Sequence, residues 1–259
     1  MVRVYTSSRA VMAPTLCPGS ARLTGCTEFT GRTILRNVGG VAGPARRLGG
    51  MTSFPAHLDH IVLATPDLAA TVAEFTRRTG VAPAPGGAHV DLGTRNHLVG
   101  LGGRAYLEII GPDPDRPGPS RSRPFGVDAL PAARTLTWAI SPPDLDAAVA
   151  AARGQGYDPG DIRAMSRRRP DGVLLEWRLT DGPPLPCDLA PFLIDWGAAA
   201  HPTDSGLPVL PLLSFTATAP APHEVRPCLT ALGTDLTVSP GPWGFSFTVD
   251  TPNGPVTFG

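Results

Sequence analysis

The chain contains no lysine, and all 22 of its basic residues are Arg. That excludes a Lys nucleophile or a Schiff-base link to a cofactor. With 30 Gly and 31 Pro, the absence reads as GC-rich coding bias. Cysteine is scarce, at 4 in 259 residues. Cys17 and Cys26 fall in the first 50 residues, which leaves Cys187 and Cys228 for the body and no Cys-x-x-Cys anywhere. The expectation is therefore reduced thiols and a cytoplasmic protein rather than a disulfide framework. No apolar run approaches the ~18 residues that span a bilayer. Formal net charge is +0. Neither a membrane nor a nucleic acid is expected as partner. There is no P-loop and no GxGxxG opening a helix after a strand, so no nucleotide cofactor is expected. There is no Gly-x-Ser-x-Gly nucleophile elbow either.

Residues 1–50 differ from the rest. They hold seven Arg and a single acid, Glu28, about +6, whereas residues 51–259 hold 15 Arg and 21 acids, −6. Three readings compete: an acid-poor targeting peptide, a disordered tail, and sequence upstream of the true start. Met51, just ahead of the first strand-like run, favours the third. The division expected is 1–50 as a disordered or non-native extension and 51–259 as the folded domain.

What the folded part does have is a repeat. Leu58-Asp59-His60-Ile61-Val62-Leu63-Ala64-Thr65-Pro66-Asp67-Leu68 is answered by Thr135-Leu136-Thr137-Trp138-Ala139-Ile140-Ser141-Pro142-Pro143-Asp144-Leu145, 77 residues later from Leu68 to Leu145. Each copy is an apolar run followed by a Pro-Asp-Leu helix start, a small-residue helix, a Gly stop and three further strand-like runs. Thr65 is expected to cap the first helix, with Pro66 at its first position. The fold class expected is α+β: tandem βαβββ units at 57–113 and 134–197, joined by a Pro-rich linker at 114–133. Their curved mixed sheets surround a cup. A C-terminal partial βαββ unit at 207–259 ends in an Asn253-Gly254 hairpin turn.

The copies differ in polar chemistry. His60 on the first strand of unit one and Glu108 on its last are replaced by Thr137 and Ile194 in unit two. With Ile61 and Leu63 facing the helix, His60 faces the other way, and Tyr106, Glu108 and Ile110 share one face of their strand. If the unit curls, His60 and Glu108 meet inside the cup. There they are either first ligands of a divalent metal or hydrogen-bonded core residues. In unit two, Trp177, Arg178 and Trp196 read either as a pocket for a small, partly apolar anion or as core, with Arg178 paired to Glu176. Asn96 and His201 are placed at the pocket mouth. His97 is the best spare ligand, while His57, His89 and His223 read as surface or structural. Arg167 to Arg169 precede a turn, either solvated or folding over an anionic ligand.

The double strand-helix-three-strand layout resembles the vicinal oxygen chelate superfamily, which includes glyoxalase I, extradiol dioxygenases and bleomycin-resistance proteins. The chain is similar to its glyoxalase-like domain family over about 57–259. The carriers are Leu58-Asp59-His60-Ile61-Val62, Tyr106-Leu107-Glu108-Ile109-Ile110, Met165-Ser166-Arg167-Arg168-Arg169-Pro170-Asp171-Gly172 and Phe192-Leu193-Ile194-Asp195-Trp196-Gly197 with His201-Pro202. The resemblance implies ligands from first and last strands, hence one divalent metal (Zn, Mn, Fe, Co or Ni) on His60 and Glu108. It also implies Glu108 as catalytic base, and pairing of units that permits a monomer or a homodimer.

Two functions follow. One is a metal-dependent lyase, isomerase or dioxygenase that chelates a small oxygenated metabolite. The other is a metal-free protein that binds or sequesters a small molecule, the reading favoured by the missing second ligand pair. Fold alone does not decide between them.

Overall fold

The computed structural model describes residues 54–89, 92–116, 123–181 and 189–259. Residues 1–50, Cys17, Cys26 and Cys187 lie outside that set, as do the expectations attached to them.

Unit one is β1 (Leu58–Ala64), α1 (Leu68–Thr79), β2 (Ala84–His89), β3 (Thr94–Gly102) and β4 (Ala105–Pro112). Unit two is β5 (Arg134–Ile140), α2 (Leu145–Gly154), β6 (Ile162–Arg168), β7 (Leu174–Thr180) and β8 (Phe192–Asp195). The two four-stranded sheets close one barrel in the order β1-β4-β3-β2-β6-β7-β8-β5. In each unit the first strand runs parallel to the last, with Ile61 beside Leu107 and Ile140 beside Leu193. The units meet antiparallel at two seams, β1 with β5 and β2 with β6. This is the α+β cup that the repeat implies.

Both helices start at the duplicated Asp. The Asp67 carboxylate accepts from the Ala70 amide at 3.0 Å, and Asp144 does the same for Ala147 at 2.9 Å. Such caps stabilise a helix by about 1 kcal/mol. The cap of α1 is thus Asp67 rather than Thr65, whose hydroxyl is taken by the Asp67 amide and by Thr71. Gly80, at φ 72°, ends α1 in the left-handed region that glycine tolerates best.

Strand alternation divides the apolar side chains into two cores. Ile61, Leu63, Leu107, Ile109, Trp138 and Ile140 pack outward against α1, α2 and a third sheet. Val62, Ala64, Leu98, Ile110, Ala139 and Ile194 point into the barrel. The third sheet comes from β9 (Leu212–Ala219), α3 (Pro222–Ala231), β10 (Thr237–Pro240), β11 (Gly244–Val249) and β12 (Val256–Phe258), in the order β10-β9-β11-β12. The expected partial βαββ unit therefore gains a strand. Thr237–Pro240 carries no apolar alternation and is mostly exposed, so its pairing with β9 leaves no hydrophobic mark in the sequence. Two aromatic contacts fasten this sheet: Phe75 of α1 stacks on Phe258 at 5.0 Å, and Trp138 meets Phe215 edge-on at 5.5 Å. No helix among the described residues is long and apolar enough to cross a membrane. Cys228 is disulfide-bonded, which corrects the expectation of reduced thiols.

Candidate functional site

The barrel encloses a cavity of about 510 Å³. Unit one supplies the imidazoles and the Glu108 carboxylate, with His60 from β1, His89 from β2, Asn96 from β3, and Tyr106 and Glu108 from β4, while unit two adds Thr137, Arg163, Arg167, Thr180 and Asp181. Its apolar wall comes mainly from unit two, with Met165, Trp177, Leu179, Phe192, Ile194 and Trp196. Pro124 and Phe125, from a short turn in the linker, add to the lining. Thr137 and Ile194, the counterparts of His60 and Glu108, also line the cavity. The polar asymmetry of the repeat is therefore an asymmetry of one shared site.

His60 is fixed from behind. Its Nδ1 lies 2.6 Å from Asp59 Oδ1, and its ring stacks on Tyr106 with centroids 4.8 Å apart. The Nε2 is 3.9 Å from Glu108 Oε2. Adjacent strand residues normally point to opposite faces, but the pairing of β1 with β5 skips between Leu58 and His60. That bulge at Asp59 lets its carboxylate reach the neighbouring imidazole. The other oxygen, Oδ2, accepts from Trp196 Nε1 at 3.1 Å and contacts His201 Nε2 at 3.1 Å. Burial alone raises the Asp59 pKa. The hydrogen bonds from His201 and His60 outweigh it and hold the group at about 2.

Glu108 sits between two imidazoles. His89 Nε2 is 4.0 Å from Oε1, while His89 Nδ1 is engaged by the Thr94 hydroxyl at 3.1 Å. Burial lowers the His89 pKa to about 4, with Glu108 opposing and Arg167 reinforcing the shift, so this ring is neutral at physiological pH. Glu108 Oε1 also accepts from Asn96 Nδ2 at 2.5 Å, and Asn96 Oδ1 accepts from Arg167 Nη1 at 2.9 Å. An amide thus separates the carboxylate from the guanidinium.

The structure brings some of the expected site residues to the cavity and leaves others away from it. His60, Asn96, Glu108, Trp177 and Trp196 all line the cavity. Arg178 does not. Trp177 points inward, so the next residue on the strand points out, where Arg178 pairs with Asp195 at 2.7 Å and Asp146 at 2.9 Å rather than with Glu176. His201 is not at the mouth of the cup. It is buried behind Asp59, caps the turn Pro202–Ser205, and borders a second cavity of about 240 Å³. His97 faces away from the cup for the same reason of alternation, since its neighbours Asn96 and Leu98 face in. Sequence alone gives Asp59 no site role, reads His89 as surface or structural, and leaves Arg167 between a solvated arm and one folding over an anionic ligand. A bulge, an irregular Gly-rich strand and a charge run that enters the barrel hid their positions.

The metal expectation can be tested on the donor set. A separation of 3.9 Å between His60 Nε2 and Glu108 Oε2 suits two ligands at bonds of about 2.0–2.2 Å. His89 is a third nitrogen donor in the cup, but its Nε2 lies on the other Glu108 oxygen, 4.0 Å from Oε1; unit two offers only Thr137 and Ile194, and no group of three or more His, Cys, Asp or Glu among the described residues is arranged to hold an ion. Glu108 Oε1 is already satisfied by Asn96, and the Arg167 cation lines the same cavity. The residues present do not fit a mononuclear metal.

The closed double-βαβββ barrel with one cup is the architecture of the vicinal oxygen chelate superfamily. A family model described as "Glyoxalase-like domain" matches residues 58–233, and the chain belongs to that family. A hypothetical protein from Staphylococcus aureus shares the fold, at TM-score 0.51 and 13% identity over 78% of this chain and 84% of that one. Methylmalonyl-CoA epimerase from Mycobacterium tuberculosis is 20% identical over 62% of this chain and 100% of its own, with a TM-score of 0.37. No curated protein matches the chain.

Proposed function

We propose that the protein binds a small, largely apolar organic molecule in the cup, without a metal ion, and presents His60 and Glu108 to its polar end. The observation that carries this reading is the cavity, about 510 Å³ inside a closed barrel, with polar groups gathered against aromatic walls. That volume lies within the ~300–1,000 Å³ of small-molecule sites. The arrangement of His60 and His89 on opposite oxygens of Glu108, with no three donors grouped to hold an ion among the described residues, supports binding without metal over the divalent-metal lyase, isomerase or dioxygenase. The test is elemental analysis of protein purified without chelator, followed by a thermal-shift panel of hydrophobic acids, amides and antibiotics. The expected result is substoichiometric metal, no stabilisation by added Zn, Mn, Fe, Co or Ni, and a saturable rise in Tm with members of the panel. Stoichiometric metal required for binding, or a silent panel, overturns the reading.

The Asp59–His60 pair supports a second reading that adds proton transfer. An ionised carboxylate on Nδ1 fixes the ring and leaves Nε2 free to exchange a proton beside Glu108. Solvent deuterium entering the carbon next to a bound ligand's carbonyl, and its loss in Glu108→Gln, is the expected result. No exchange in the wild-type protein with a ligand that binds contradicts it.

A further inference from the structure

We propose that Arg167 is an anion subsite and that the ligand of the cup is an organic monocarboxylate, its carboxylate on the guanidinium and its apolar body against Trp177, Trp196 and Phe192. This rests on the binding reading above and names the ligand's chemistry.

Arg167 is only 3% exposed, yet its one side-chain hydrogen bond among the described residues is to a neutral amide, from Nη1 to Asn96 Oδ1. Other arginines of the domain lie near the surface in ion pairs, such as Arg163 with Asp181 and Arg178 with Asp195. No carboxylate among the described residues pairs with Arg167. A buried charge without a directly paired counter-ion is costly; Glu108 acts on Arg167 only through space, across Asn96, so an anion on the open side of the guanidinium would offset that cost. Burial accordingly pulls its pKa down. None of its remaining N–H groups is among the sealed, unpartnered polar atoms, so they open on the cavities that the side chain lines.

The seat is built. A Cβ on Gly86 would lie 2.2 Å from Asn96 Oδ1 and 2.3 Å from Arg167 Nη1, so only glycine there admits the pair. Asn96 in turn holds Glu108, which keeps that carboxylate off the guanidinium and leaves the fork for a ligand. The larger cavity is the one that suits. The smaller is lined by Asp171 and Asp204, and its second cation, Arg169, is already paired with Asp171 at 3.0 Å. Glu108 in the same cup argues against a dianion, because its own charge would repel the second negative charge of a phosphate.

Calorimetric titration of phenylacetate, its neutral isostere phenylacetamide, and phenylphosphonate into wild-type protein, Arg167→Gln and Arg167→Lys tests this. Phenylacetate is expected to bind the wild type about tenfold or more tighter than the amide. Arg167→Gln should abolish that preference, and Arg167→Lys should retain part of it. Equal binding of acid and amide by the wild type overturns the anion subsite and leaves the cup intact, even if the variants fail to fold. Tighter binding of phenylphosphonate overturns the choice of a monocarboxylate. Binding of none of the three overturns both this inference and the binding reading.

Discussion

Replacing Asp59 with Asn probes the polar frame of the cup while keeping its shape. The carboxylate is 3% exposed and meets three ring nitrogens, of His60 at 2.6 Å and of His201 and Trp196 at 3.1 Å each. Its pKa falls from 3.8 to about 2 on folding. The native state thus favours the ionised form by nearly two pKa units, or about 2 kcal/mol. Because the folded pKa is depressed, that stabilisation is present in full above the unfolded value near 4 and is lost as pH falls through about 2. The new amide also turns one N–H pair toward donors, which leaves a buried group unpaired at a further cost of about 1–3 kcal/mol. Asp59→Asn should therefore lose about 3–5 kcal/mol at neutral pH, and the deficit should shrink by about 2 kcal/mol near pH 2. Urea unfolding followed by far-UV circular dichroism across that range gives both numbers. A variant within about 0.5 kcal/mol of wild type at neutral pH, or a deficit that does not change with pH, would refute the reasoning.

Three further outcomes are expected. Arg178→Ala should change stability by less than about 1 kcal/mol and leave ligand affinity untouched, because its ion pairs with Asp146 and Asp195 are exposed; a lost ligand response would return Arg178 to the site. The His89 ring should titrate with a midpoint near 4 by NMR, which means that stability is lost as pH falls from about 6.5 toward 4; a midpoint above 6 contradicts the burial argument. Gly86→Ala should push Asn96 and Arg167 apart, costing about 1–3 kcal/mol and weakening binding of acids more than of amides; unchanged acid binding would show that the seat is not needed.

The architecture was legible because the helix starts and the alternation repeat. Asp67 and Asp144 cap equivalent helices, and Ile61 and Leu63 point to the helices while His60 and Val62 point inward. His60 and Glu108 were legible by the same period-two argument, as was the emptiness of unit two at Thr137 and Ile194. Arg178 was misplaced although that argument, applied from Trp177, sends it outward. Asp59 was hidden by a bulge that only strand pairing reveals. The run of three Arg before a turn left a solvated arm and one folding over an anion both open for Arg167, because the turn alone does not show that β6 extends to Arg168 and that alternation puts Arg167 on the cup side. The third sheet's extra strand left no apolar pattern to find.

Tryptophan fluorescence offers the most direct test of the central claim, that the cup binds a small organic ligand without metal. Trp177 and Trp196 line the cavity, whereas Trp138 and Trp243 do not. Titration with phenylacetate in the presence of a chelator should give a saturable change in emission that persists in Trp243→Phe and is diminished in Trp177→Phe. A change abolished by the chelator and restored by a divalent metal, or no saturable change at all, would contradict the account.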